Sequence, residues 1–244
     1  MKFTYQDLDK LFSYIKKNYP VFLMGTQQYQ RGIILRHDID LDLNAAQKMA
    51  ALEKKHGLRS TFFVMTTCQT YNPFAGQNRQ IITQLVRDDF EIGLHFDGIT
   101  YGNVTEEKLA SNVRAEAKIL SSITGQKVRS ISQHRPVRSG KYYLFRGFQN
   151  AYDPRIFSPE QYISDSHRHF IKDIFEFLNQ AQKFPIQILL HPFNYATSEK
   201  NYIQLISRYL DVLLANIDAD FRKMSTYRVQ VKEGELKQRL LKKI

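Results

Sequence analysis

Short, continuous apolar runs recur along this sequence, and segments patterned as helices separate them. The strand-like runs are 32–36 (GIILR), 60–65 (STFFVM), 90–96 (FEIGLHF), 128–134 (VRSISQH), 161–164 and 185–190 (PIQILL). Runs that are apolar on both faces suit parallel strands, which are covered on both sides. Between them, Asp42 reads as the cap of a helix with Leu43, Ala46, Met49 and Ala50 on one face, stopped at Gly57. A helical segment lies near residues 81–86. Residues 103–106 read as a capping box opening a helix through Leu109, Val113, Ala117 and Leu120, which closes at Gly125. Residues 170–181 are helical in pattern, and a last long helix carries Ile203, Ile206, Leu210, Leu213 and Ile217. Such alternation predicts an α/β fold with a parallel sheet, open or closed into a barrel.

No Gly/Ser run, low-complexity linker or internal repeat divides the 244 residues. The expectation is one domain over 1–244, with an added N-terminal helix and a basic C-terminal extension. Residues 136–159 are the least regular and read as functional loops. An apolar share of 43%, with 17 Phe and 14 Tyr, supplies a large core and excludes wholesale disorder. Cys68 is the single cysteine and reads as a small half-buried residue, so neither an internal disulfide nor a Cys-rich zinc site is available. Residues 1–18 alternate charged and apolar positions without the apolar core of a secretion signal. No run approaches the roughly 20 apolar residues of a membrane span. These features predict a soluble, cytoplasmic protein.

The net charge of +11 favours anionic partners. It is densest in the tail 232–243, read as a polar helix, with peripheral membrane contact as the alternative. Charge with aromatic-rich loops is the whole case for a nucleic-acid binder. No nucleic-acid motif or Gly-rich phosphate loop accompanies it.

The chemistry-bearing residues sit where the strand-like runs end. His37, Asp38 and Asp40 follow GIILR, His95 and Asp97 end EIGL, and His134 and Arg135 follow SISQ. Asp165 follows YIS, and His191 ends ILL. In a parallel α/β barrel the C-terminal strand ends share one face, where active sites are built. Taken singly, an Asp after a strand is often the next helix's cap, a role open to Asp42 and Asp97, and a lone His is commonly a hydrogen-bonded loop residue. Five strand ends with the same chemistry point instead to one rim. Asp and His without Cys suit a divalent ion such as zinc or another first-row metal.

In their order, RHDID, STFFVM, EIGLHFD and LLHP resemble the motifs of NodB-type polysaccharide deacetylases, a likeness that runs from about residue 32 to 192. The resemblance implies a distorted (β/α) barrel of about seven parallel strands. It also implies a metal-dependent hydrolase that removes an N-acyl group, such as acetyl, from an amino sugar. By resemblance Asp38 is the general base, Asp40 and His95 are metal ligands, and His191 is the general acid. Arg135 matches the family's Arg-Pro arginine, and Asp165 matches the carboxylate that supports the catalytic groups.

Ile99 stands where the family's second metal-binding His belongs. His134 is the best substitute as third ligand, with Asp97 or His37 as alternatives. A catalytically inactive, glycan-binding relative is the rival reading. Tyr71, Phe74, Tyr101, Tyr142, Tyr143, Phe145 and Tyr195 suit stacking on sugar faces, or ordinary loop packing. Arg135, Arg138 and Arg146 suit a carboxylate or phosphate on the substrate, or a solvated basic surface. The cytoplasmic expectation, together with the resemblance, suggests a nucleotide-linked or lipid-linked sugar.

Overall fold

The computed structural model describes residues 1–26, 28–136 and 140–241. The chain clusters into two compact units, Met1–Glu199 and Lys200–Ile244.

The first unit is built on one wholly parallel sheet. Its strands are β1 (Val21–Phe22), β2 (Gly32–Ile39), β3 (Thr61–Val64), β4 (Glu91–Phe96), β5 (Ser130–Gln133), β6 (Gln149–Asn150), β7 (Tyr162–Ser164) and β8 (Pro185–Leu190). Seven of them run in the order β6-β5-β4-β3-β2-β8-β7, and the short β1 pairs with β2. The sheet curls into a half-barrel, as the resemblance implies. Its outer strands are not paired with each other. The segment after β6 spans the gap instead, with the Gln187 amide of β8 donating to the carbonyls of Ala151 at 2.9 Å and Ile156 at 3.3 Å.

Every residue of β2 is buried, because both of its faces are covered. Its outward residues Ile33 and Leu35 pack in a core with Leu8, Leu11 and Phe12 of helix α1 (Tyr5–Asn18) and Met49 of α2 (Leu43–Lys55). Its inward residue Ile34 joins Met24, Phe63, Ala151, Tyr152 and Ile156. A second outer core gathers α2, α3 (Gly76–Arg87) and α4 (Glu106–Thr124) around Phe62, Leu94 and Val113. Gly93 on β4 faces inward, where a Cβ would stand 2.4 Å from the Phe63 ring. Only glycine lets that ring fill the interior.

Asp42 caps α2 as expected, accepting from the Asn44 N–H at 2.8 Å. The box at 103–106 does not form. Thr105 is the N-cap of α4, accepting from Lys108 N–H, which places the helix start two residues later. The helix expected over 170–181 is shorter as well. Asp173 caps α5 (Ile174–Leu178), which tightens into a 3₁₀ turn over Asn179–Gln182. A short local hydrogen-bonding side chain thus overrode the apolar period at both starts. Among the described residues of the stretch read as loops, only β6 is a strand.

The second unit holds α6 (Tyr202–Phe221), α7 (Ser225–Gln230) and α8 (Glu235–Leu241). A reciprocal capping box of Asn201 and Gln204 starts α6. Its buried residues are Leu205 and Tyr209, whereas Ile203, Leu210 and Ile217 of the apolar stripe are exposed. No helix among the described residues is long and apolar enough to cross a membrane.

Candidate metal centre and active site

All parallel strands present their C-terminal ends at one rim, so the polar residues after them meet. Asp40 follows β2, His95 is the penultimate residue of β4, and His134 follows β5. The His134 N–H donates to the carbonyl of Phe96 at 2.8 Å, which carries the pairing of β4 and β5 one residue past β5.

Asp40 Oδ1 lies 3.1 Å from His95 Nε2 and 3.3 Å from His134 Nδ1, and the two nitrogens are 3.1 Å apart. Ligand atoms about 2.0 Å from a tetrahedral zinc stand roughly 3.3 Å from one another. The three donors therefore already have the spacing of three corners of such a site. The tautomer agrees. His95 Nδ1 lies 3.1 Å from the carbonyl of Ser132, which can only accept, so Nδ1 carries hydrogen and Nε2 faces Asp40 and His134. Neutral His95 would then set a lone pair against a carboxylate oxygen, a contact that only a proton or a cation makes favourable. Burial works against charging His95, but Asp38 and Asp40 outweigh it and hold its pKa above the ordinary value. Burial likewise opposes ionisation of Asp40. Hydrogen bonds with His134 and His95, and the charge of the nearby histidines, nonetheless hold its carboxyl well below the usual range. A site that stabilises an anion facing two imidazoles is one that a divalent cation fits.

Asp38 points inward from β2 beneath this cluster and is buried. Its Oδ2 accepts from Ser132 Oγ at 3.1 Å and lies 3.5 Å from the Arg36 guanidinium and 3.8 Å from His95 Nε2. Its Oδ1 is buried without a hydrogen-bond partner among the described residues.

His191 follows β8, and Asp165 follows β7. The Asp165 carboxylate, fully buried, accepts from His191 Nδ1 at 2.6 Å and from the His191 backbone N–H at 3.0 Å. His191 Nε2 is left facing the centre, 3.8 Å from Asp40 Oδ2. Burial disfavours the imidazolium, but Asp165 above all, then Asp40 and Asp38, raise its pKa from 6.5 to about 9. His191 is thus held as an acid with its other nitrogen anchored.

The structure brings six of the seven residues singled out from sequence to this centre: Asp38, Asp40, His95, His134, Asp165 and His191. Arg135 is placed differently. Its guanidinium pairs with Asp97, with the chain turned through a left-handed φ of 48°. The two alternative third ligands also point elsewhere. Asp97 holds Arg135 and caps the 3₁₀ turn Gly98–Tyr101. His37 faces outward from β2, 2.5 Å from the buried Glu53 of α2. Strand alternation explains His37, since its neighbour Asp38 takes the inward face. Ile99 lies in the 3₁₀ turn, 47% exposed.

Of the aromatic residues, Tyr71, Phe145 and Tyr195 are buried, and Phe74 and Tyr142 present exposed rings. Arg146 is exposed, and Arg138 lies outside the described residues. Sequence reasoning missed Arg36, Ser132 and Tyr152. Arg36 had a signal: a charged residue in register with Ile34 and Asp38 on the inward face of an otherwise apolar run.

Residues 31–136 match the family model described as polysaccharide deacetylase. No curated protein matches the sequence. Among solved structures, the chain is similar to a chitin deacetylase from the fungus Colletotrichum lindemuthianum, with 16% identity, a TM-score of 0.45, and coverage of 78% of this chain and 86% of that one. A CE4 family pseudoenzyme from Bacillus anthracis shares 15% identity at a TM-score of 0.44, with coverage of 75% and 63%. A peptidoglycan deacetylase from Bdellovibrio bacteriovorus shares 14% at 0.43, with coverage of 85% and 65%. The chain thus spans less than two thirds of the length of the latter two.

Proposed function

The chain is a member of the NodB-type polysaccharide deacetylase superfamily through residues 31–136, and from that premise we propose that it is a metal-dependent hydrolase releasing an N-acyl group, acetyl in the simplest case, from an amino sugar. The observation that carries this reading is the spacing of Asp40 Oδ1, His95 Nε2 and His134 Nδ1, at 3.1–3.3 Å from one another. These residues would hold the ion, and zinc suits one oxygen and two nitrogen ligands. When bound, such an ion supplies Lewis acidity toward the acyl oxygen and acidifies water.

The chain's own residues do the rest. Asp38 takes the proton of the attacking water at Oδ1, its unbonded oxygen. As the new C–O bond forms and the C–N bond breaks, His191 donates from Nε2 to the departing nitrogen. Asp165 stays on Nδ1 throughout, which fixes the ring and favours its protonated form. A carboxylate and a free amine result. The exposed ring of Tyr142 offers a stacking face for a sugar, and the net charge of +11 suits an anionic one.

Ile99 at the position of the family's second His supports a second reading, a glycan-binding relative without turnover. Two measurements separate the readings: the metal content of the purified protein beside Asp40→Ala, His95→Ala and His134→Ala, and acetate release from an N-acetylglucosamine tetramer. Near-stoichiometric metal lost in all three variants, with acetate released by the wild type, is the expected result. Tetramer binding without metal or acetate would replace the enzyme by the binder.

A further inference from the structure

Arg36 is the bulkiest of the wholly buried side chains, and it lies inside the half-barrel two residues before Asp38. Its guanidinium stands 5.1 Å from the ring centre of Tyr152, 5.7 Å from that of Phe63 and 5.9 Å from that of Tyr162. It also lies 3.4 Å from the Tyr152 hydroxyl. Its only ion-pair partner among the described residues is Asp38. A buried charge pair is weak as a source of stability, because apolar residues of similar volume often replace it without loss. An arginine at such a position calls for a reason beyond stability.

The neighbours of Asp38 supply one. Asp38 is a carboxylate 3.8 Å from His95 Nε2 and two residues from Asp40, so it is placed to become another ligand of any ion held there. Ligation would remove it as a base. Two contacts hold it back, and both act on one oxygen: Arg36 at 3.5 Å and Ser132 Oγ at 3.1 Å from Oδ2. Oδ1 is left without a partner. We propose that Arg36, aided by Ser132, is a positioning residue that tethers Asp38 by Oδ2 and keeps it out of the metal's coordination, leaving Oδ1 to accept the proton. The inference rests on the metal-dependent reading above.

The test is Co²⁺ titration of the metal-free wild type, Arg36→Met, Ser132→Ala, Asp38→Asn and Arg36→Met/Asp38→Asn, followed by visible absorption. Once released, Asp38 joins the ion, so Arg36→Met and Ser132→Ala should each bind Co²⁺ about tenfold more tightly, with altered ligand-field bands. The double variant should bind Co²⁺ no more tightly than Asp38→Asn. On the N-acetylglucosamine tetramer, Arg36→Met should lower kcat about 100-fold with KM within about twofold. Ser132→Ala carries the test if Arg36→Met does not fold, because it leaves no buried charge unpaired. Tightening that persists in the double variant would trace to lost positive charge alone and overturn the tether. Unchanged Co²⁺ affinity in both single variants would overturn it too. A wild type that binds no Co²⁺ would instead remove the metal-dependent reading, and the tether with it. The Co²⁺ result decides the matter whether or not the tetramer is turned over.

Discussion

Replacing Asp165 with Asn removes the charge beside His191 while keeping the side chain's shape and an oxygen that accepts the His191 backbone N–H. In the wild type the pair is 2.6 Å apart, with Asp165 fully buried and the His191 side chain 18% exposed. Burial opposes the imidazolium and the carboxylates favour it, with a net rise from 6.5 to about 9. That gap corresponds to about 3 kcal/mol of preference for the charged ring. Because the folded-state pKa is raised, the stabilisation is complete below about pH 6.5. It fades as pH rises toward about 9 and is absent above that. In Asp165→Asn the desolvation remains and its main compensation is gone, so His191 should titrate at or below its ordinary value. Histidine-selective NMR of the metal-free protein reads the pKa directly. Urea unfolding at about pH 6 and pH 10 reads the linkage, and the substitution should cost about 3 kcal/mol more at the lower pH. Equal His191 titrations in the two proteins, or a cost independent of pH, would refute the assignment of Asp165 as the group that charges His191.

Two further outcomes follow from the same geometry. Asp38→Asn keeps the ligands and removes the base, so metal content should stay near the wild-type level while acetate release falls by about 10²–10⁴-fold. Metal analysis alongside a coupled acetate assay checks both halves. Glu53→Ala acts far from the rim: it strips the buried His37 and Ser60 of the carboxylate that each meets at 2.5 Å. Chemical denaturation should show a loss of about 2–4 kcal/mol, with Co²⁺ affinity within about twofold of the wild type.

The run GIILR located β2, because a strand covered on both faces is mostly apolar. The strand runs three residues further, through His37, Asp38 and Ile39, and the buried polar side chains of His37 and Asp38 find partners on either face. The ends of SISQ and ILL placed His134 and His191 for the same reason. Starts of helices were less legible. Thr105 and Asp173 displaced the expected boundaries, since one cap hydrogen bond competes locally with an apolar period that tolerates a shift of a few residues.

The motif order and the strand-end positions of Asp38, Asp40, His95, His134, Asp165 and His191 were properties of the sequence by itself, as was a sheet built from parallel strands. These follow from short-range periodicity, which a linear chain displays. Tertiary structure alone decided which of those groups touch. It turned His37 away to Glu53, gave Arg135 to Asp97, set Arg36 against Asp38, and spaced three donor atoms 3.1–3.3 Å apart. Apart from the Arg36–Asp38 pair, which neighbours on one strand face, these contacts join residues 16 or more positions apart. They depend on the curl and register of the sheet, and these arise only when the whole core packs.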